Sequence, residues 1–401
     1  MSLSCQKSWS VQLFLFFSFA LTCSSSFYYP NFNDTSALRL NGDAGTSSCG
    51  DGGAYVYAVS NGLNDGEGGG LGLRFSETST TRIEGVSKPY SVLGARETSR
   101  YLSGFGQRDA HSASPDNSTG PCPMRLRLSP SRAFKQSSVI LHEALPILSG
   151  WETGFTFQVS DPSLQCTYVK DATFGAASHR ACTVAGGDGL AFILHGDVGV
   201  GSAALGTGGG GLGYGGLPNA LAVEFDTWYN AGSESGDLPF DHITVQASPV
   251  GGAWETGVGT PTVTSGTTTR VSGPPLRANI GDGLLHTVRI AYYPYLKLDF
   301  LSRFVGSTAL PQFLTADGER RKVGTLAVWY DEVDPLSGEV AGFEPTSARN
   351  DTLLPTLAIP LNLNAVLRVP GGVGWVGFTA ATGSIAWQKH DILSWYWTDE
   401  S

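Results

Sequence analysis

The sequence predicts an all-β chain built as an antiparallel β-sandwich with loop insertions, and three observations carry that expectation. Short segments rich in β-branched and aromatic residues recur between turn formers. Convincing amphipathic helices of a dozen residues are missing, so the layers that bury the core must be sheets packed on sheets. Glycine reaches 53 of 401 residues, which favours many turns. Charged residues make up only 15% of the chain, which excludes a coiled coil. With 25 Lys+Arg against 35 Asp+Glu, a basic nucleic-acid binder is excluded too, and an apolar content of 41% is too high for a disordered chain. Sandwiches with long loops run to this length as one domain, so residues 27–397 are expected to form one.

Taken in order, residues 1–26 read as a secretory signal peptide: Lys7, then an apolar run from Val11 to Leu21, then small polar residues Thr22 to Ser26. The run is shorter than the ~20 residues a membrane span needs, and no later segment reads as a span. The mature protein is therefore expected to begin near Phe27 and to be secreted. Strand candidates follow at Trp151–Val159, Leu190–Leu194, Ala222–Thr227, His242–Gln246, Leu285–Tyr292, Leu326–Tyr330, Gly374–Thr379 and Ile392–Trp397. Residues 45–121 differ, being Gly, Ser and Thr with scattered charges and one short strand candidate at Tyr55–Val59, and are expected to be an insertion. Polar, turn-rich extensions are expected within about 302–351.

Of six cysteines, Cys5 and Cys23 would leave with the leader, and Cys49, Cys122, Cys166 and Cys182 remain. An even number in an oxidising compartment is consistent with two disulfide bonds. Pairing Cys49 with Cys122 and Cys166 with Cys182 would let each bridge close a local insertion; no CxxC spacing supports zinc instead. Sequons at Asn33, Asn117 and Asn350 fit a glycoprotein of the same compartment.

The chemistry concentrates in Val223-Glu-Phe-Asp-Thr-Trp-Tyr-Asn230, followed by Asp237 and His242. Residues two apart share a strand face, so Glu224 and Asp226 point the same way with Phe225 opposite. Two carboxylates on one face repel unless a cation sits between them. Oxygen ligands suit calcium, and an added imidazole from His242 suits manganese or a related transition ion. The alternative is an ordinary solvated strand face.

At these residues the chain resembles the legume-type (L-type) lectins, secreted carbohydrate-binding sandwiches of the concanavalin-like jelly-roll type. The likeness extends over Phe27–Asp43, Arg127–Phe134, Trp151–Gln158, Gly377–Gly383 and His390–Trp395. The resemblance implies that Glu224, Asp226, Asp237 and His242 hold manganese or a similar transition metal. It further implies calcium on Asp226, the Trp228 carbonyl, Asn230 and Asp237, so that two carboxylates bridge both ions. Asp188, after a cis peptide bond, would accept from two sugar hydroxyls. Asn230 and the Gly210 N–H would donate, and the Trp228 ring would stack under the sugar. Gly187 stands where the family commonly has Ala. Ser384 and Ile385 form the tip of the loop expected to set specificity, with mannose/glucose-type or galactose-type glycans as candidate ligands.

The function implied is that of a metal-dependent, non-catalytic lectin whose partners are glycans or glycoproteins, with homo-oligomerisation possible. Two alternatives stand beside it. Glycoside hydrolases share this architecture but need a second acid at about 5 to 10 Å, where this chain has Trp228 and Tyr229. A lectin-like ectodomain of a cargo or surface receptor would carry a membrane span and a tail.

Overall fold

The computed structural model describes residues 2–7, 21–47, 55–59, 71–75, 124–170, 178–230, 238, 241–247, 256–257, 260–261, 269–272, 280–304, 323–331 and 354–399. Its first strands are β1 (Ser2–Lys7), β2 (Leu21–Tyr29), β3 (Leu38–Gly42), β4 (Gly45–Ser47), β5 (Tyr55–Val59) and β6 (Leu71–Phe75). They are followed by β7 (Arg125–Ser129), β8 (Gln136–Leu141), β9 (Leu145–Pro146), β10 (Trp151–Ser160), β11 (Ser163–Lys170) and β12 (Ser178–Ala185). The central run is β13 (Gly189–His195), β14 (Ala220–Asp226), β15 (His242–Ala247), β16 (Thr256–Gly257), β17 (Thr260–Pro261) and β18 (Thr269–Ser272). The chain closes with β19 (Leu285–Tyr293), β20 (Gly324–Tyr330), β21 (Leu357–Leu361), β22 (Val373–Ala381) and β23 (Lys389–Asp399).

Most of these strands form two antiparallel sheets, as the period-2 patterning predicts, while β5 with β6, β11 with β12 and β16 with β17 pair as separate two-stranded hairpins. The back sheet follows the order β1-β2-β23-β10-β19-β20-β21, with β7 on β23 and β4 on β7. The front sheet follows β18-β15-β14-β13-β22-β8-β3, with β9 on β22. Inward side chains of both sheets make one apolar core, centred on Phe155 of β10. Its ring lies 4.9 Å from Phe378 and 5.8 Å from Phe225, both edge-on, in the geometry aromatic quadrupoles prefer. Trp151 and Trp395 are fully buried, whereas Trp375, equally apolar in the sequence, is only partly buried and packs on a second cluster outside the front sheet.

Within the expected insertion at 45–121 the described residues are 45–47, 55–59 and 71–75. Gly45–Ser47 pairs with β7 and so belongs to the back sheet, and among the described residues β5 pairs with β6. Within 1–26, β1 pairs with β2, and β2 reaches β23 only through Ser26–Tyr29. On the hairpin of β11 and β12 the register sets Cys166 directly opposite Cys182, while Cys49 and Cys122 lie outside the described residues. Among the described residues no helix is long and apolar enough to cross a membrane.

Three histidines without an evident partner in the sequence turn out to be buried. His195 stacks on Trp375 at 5.6 Å, and the His390 ring nitrogen Nδ1 shares a 2.5 Å hydrogen bond with Ser129 Oγ. His286 on β19 lies between two carboxylates, with Nδ1 2.7 Å from Asp331 Oδ2 and Nε2 3.1 Å from Asp282 Oδ1. Burial alone would lower its pKa, but hydrogen bonds and charges from Asp282 and Asp331 outweigh that and raise it to about 9. Because the folded value exceeds the unfolded one near 6.5, this stabilisation is complete below about pH 6.5 and is lost as pH rises toward 9. Thermal melts of the wild type should therefore lose on the order of 2–3 kcal/mol between those limits. His286→Gln should flatten the slope, and an unchanged slope in that variant would remove His286 from the account.

Candidate functional site

The Glu-Phe-Asp end of β14 places its side chains by strand period alone. Val223 and Phe225 enter the core between the sheets, so Ala222, Glu224 and Asp226 face outward. Pairing with β15 sets Asp226 opposite His242 and Glu224 opposite Thr244. An outward face would ordinarily be solvated, but the excursion between β13 and β14 covers it. Leu212, Tyr214 and Leu217 from that excursion pack on Ala191, Ile193 and Ala222. Glu224 and His242 are left 1% exposed and Asp226 8% exposed, so the solvated-face alternative does not hold.

Buried carboxylates need compensation, and here it comes partly from neutral donors. The Tyr214 hydroxyl donates to Glu224 Oε1, and Gln246 Nε2 donates to Oε2 at 2.5 Å. Asp226 Oδ1 accepts from the Trp228 N–H at 2.9 Å, a turn that begins the next loop. Its other oxygen, Oδ2, lies 4.0 Å from His242 Nε2. That gap is too long for a hydrogen bond. The carboxylate and imidazole at Asp226 and His242 are donor types that suit a cation, whereas Glu224 is already held on both oxygens. Among the described residues no three carboxylate, imidazole or thiol groups gather at ligating distance. Asp237, the remaining expected ligand, lies outside the described residues.

Beside this face opens a cavity of about 430 Å³. Asp188, Gly210, Trp228 and Asn230 line it, and so do Ser384 and Ile385. All six sugar contacts expected from the resemblance thus border one cavity, although they come from four separate stretches of chain. A cis peptide joins Gly187 to Asp188, as expected. The Asp188 backbone is anchored on both sides, with its N–H donating to Ala381 O at 3.0 Å and its carbonyl accepting from Thr227 N–H at 3.0 Å. Burial pushes the Asp188 carboxyl up to about 7, and its Oδ2 is buried with no hydrogen-bond partner among the described residues. An acceptor so placed is ready for a hydroxyl donor brought by a ligand.

Gly187 departs from the family pattern for a steric reason. A Cβ there would sit 3.2 Å from Cβ of Trp228 and 3.3 Å from its ring, so the glycine accommodates the large indole. The glycine-rich loop is a turn closed by Gly211 N–H to Gly208 O at 3.2 Å and Leu212 N–H to Gly209 O at 2.9 Å. This backbone lattice holds Gly210 in the cavity wall. Sequence reasoning missed Phe134, Lys135 and Gln136, which border the same cavity, and Tyr214, which carries the loop's contact to Glu224. A tyrosine three residues after the run Gly208–Gly211 was a signal available for the latter. Nothing in the local pattern marked Phe134.

No protein-family model matches the chain, and no curated protein does. Solved structures similar to it include a lectin from Bauhinia forficata in complex with GalNAc, at 15% identity and a TM-score of 0.40, covering 94% of this chain and 99% of that one. Lectin I-B4 from Griffonia simplicifolia in its metal-free form is 16% identical with a TM-score of 0.43, covering 94% and 100%. Arcelin-5, a lectin-like defence protein from Phaseolus vulgaris, is 12% identical with a TM-score of 0.40, covering 94% and 98%.

Proposed function

We propose that this protein is a secreted, non-catalytic lectin that binds glycans in the cavity between Asp188, Gly210, Trp228 and Asn230. The observation that carries the reading is the meeting of these residues with Ser384 and Ile385 around one cavity, where a buried carboxylate oxygen of Asp188 has no hydrogen-bond partner among the described residues. Asp188 accepts from sugar hydroxyls, Asn230 and the Gly210 N–H donate, and Trp228 offers its ring to the apolar sugar face. Calcium and manganese, or a similar transition metal, would be held by Asp226, His242, Asp237, Asn230, the Trp228 carbonyl and Glu224. When bound, these cations neutralise the acidic face and hold the Trp228–Asn230 loop in shape. For Glu224 to join them, it must share oxygens that Tyr214 and Gln246 already occupy.

The hydrolase alternative is disfavoured because Asp188 is the one carboxylate among the described residues bordering the cavity. General acid and nucleophile or base roles need two. Binding to a mannose/glucose-type or galactose-type glycan array, measured before and after EDTA, tests the reading. Binding that disappears with the chelator and returns with calcium and manganese is the expected result. Binding indifferent to EDTA would remove the metals from the scheme, and sugar release from glucans would favour catalysis. Cleavage of the leader near Phe27 and a Cys166–Cys182 bridge belong to the same proposal, and intact and non-reduced peptide masses of secreted material test both.

A further inference from the structure

We infer that Gln388, buried behind the glycan cavity, is a positioning residue for Asp188 and acts on it through the Thr227 hydroxyl. This inference rests on the lectin reading and deepens it. Gln388 is 1% exposed and does not border the cavity, so it does not touch a ligand bound there. Its amide Nε2 donates to Thr227 Oγ1 at 2.5 Å, and Thr227 Oγ1 donates to the Asp188 carbonyl at 3.1 Å.

The direction of this chain of bonds is set from its far end. Gln388 precedes β23 and His390 is the second residue of that strand, two apart and so on one side of the extended chain. Gln388 Nε2 lies 3.3 Å from His390 Nε2, and His390 Nδ1 lies 2.5 Å from Ser129 Oγ. Burial pulls the His390 pKa down to about 3, so the ring is neutral and carries one proton. An amide N–H only donates, so His390 Nε2 is the acceptor and Nδ1–H the donor to Ser129. Both Gln388 amide protons are thereby committed, one to His390 and one to Thr227. Receiving the latter, the Thr227 hydroxyl turns its own proton toward Asp188 O. Gly186 makes room for the amide, since a Cβ there would fall on Gln388 Oε1.

Asp188 depends on this support because its carboxylate end has little of its own: Oδ2 is buried with no partner among the described residues. Its carbonyl accepts twice from one residue, the Thr227 N–H at 3.0 Å and the Thr227 hydroxyl at 3.1 Å. The first bond is made by backbone alone, whereas the second depends on Gln388. A binding group has to be held to within about 0.5 Å, and releasing one of two bonds on the carbonyl lets the carboxylate drift from that tolerance.

The test is isothermal titration of the metal-loaded full chain with methyl glycosides of mannose, glucose and galactose, beside calcium and manganese titrations of the metal-free chain. For whichever sugar binds, Gln388→Met, similar in length but without the amide, should weaken it about three- to tenfold, the worth of one hydrogen bond. Metal affinity should stay as in the wild type. Thr227→Val should weaken sugar binding by the same factor, and the double variant by no more than either change alone, because both break one chain. A role for Gln388 in stability alone would lower the melting temperature without that shared loss. Should Gln388→Met not fold, Gly186→Ala, which displaces the amide, takes its place in the same cycle. Unchanged sugar affinity in the variant that displaces or removes the amide, or losses that multiply in the double variant, overturns the role of Gln388 while leaving the sugar site standing. Binding of none of the three sugars by the wild type, with the cations shown bound, overturns the lectin reading and this role together.

Discussion

Asp226→Ala should lose both cations and glycan binding in a single step. Asp226 is the last residue of β14, and its two oxygens have different tasks. Oδ1 takes the Trp228 N–H at 2.9 Å and so starts the loop that leads to Asn230, whereas Oδ2 faces His242 Nε2 across 4.0 Å. Alanine removes a charged ligand expected to bridge the ions and, with it, the acceptor that shapes the loop. Loss of metal affinity by at least about a hundredfold is expected, since even outer contacts of metal ligands are worth 10- to 100-fold. Asp226→Asn separates the two tasks, because its amide oxygen still accepts the turn hydrogen bond but brings no charge. It should keep the fold and lose the metals. Without metals, neither variant should melt below the wild type, because a buried carboxylate without its cation is costly. With metals at about a thousand times their Kd, only the wild type should gain the roughly 4 kcal/mol that each bound cation adds to the folded state. Metal content by elemental analysis and melting with and without EDTA check this. Equal metal content in wild type and Asp226→Ala would end the scheme.

Asp188→Ala should abolish glycan binding while leaving the metals in place. The Asp188 backbone is held by Ala381 and Thr227, so truncation removes the carboxylate without releasing the strand start. Two hydrogen bonds to a charged acceptor, at about 1.5–3 kcal/mol each, correspond to an affinity loss of at least about a hundredfold. Unlike Asp226, Asp188 makes no contact with His242 in the arrangement described, so the metal titration should be unaltered. Retained glycan binding in Asp188→Ala would place the sugar elsewhere on the molecule. Together the two substitutions separate a sugar contact from a metal contact, which neither does alone.

The two sheets were legible because their signal is local. The alternation in Trp151–Val159 and Ala222–Thr227 reflects which side chains meet the core: Phe155, Phe157 and Val159 of β10 and Val223 and Phe225 of β14 enter it, although both strands are buried on their other face as well. The pairing of Glu224 with Asp226 on one face followed from the same period. What local pattern did not disclose is how deeply that face is buried. The chain between β13 and β14 reads as a glycine-rich surface loop, yet Tyr214 and Leu212 from it roof over the carboxylates. His286 was opaque for a similar reason, because its partner Asp331 follows a different strand and only the pairing of β19 with β20 brings them together.

The strand period, the placing of carboxylates and an imidazole along β14 and β15, and the glycine-rich turn were readable from the chain alone, since each depends on residues within a few positions of one another. It took the folded arrangement to show that Asp188, Gly210, Asn230 and Ser384 share a cavity, that Phe134 borders it, and that Glu224 is already held by Tyr214 and Gln246. Those outcomes follow from strand pairing and burial across distant segments. Spacing along a chain carries no information about which far-off side chain will be pressed against a given one when water is excluded.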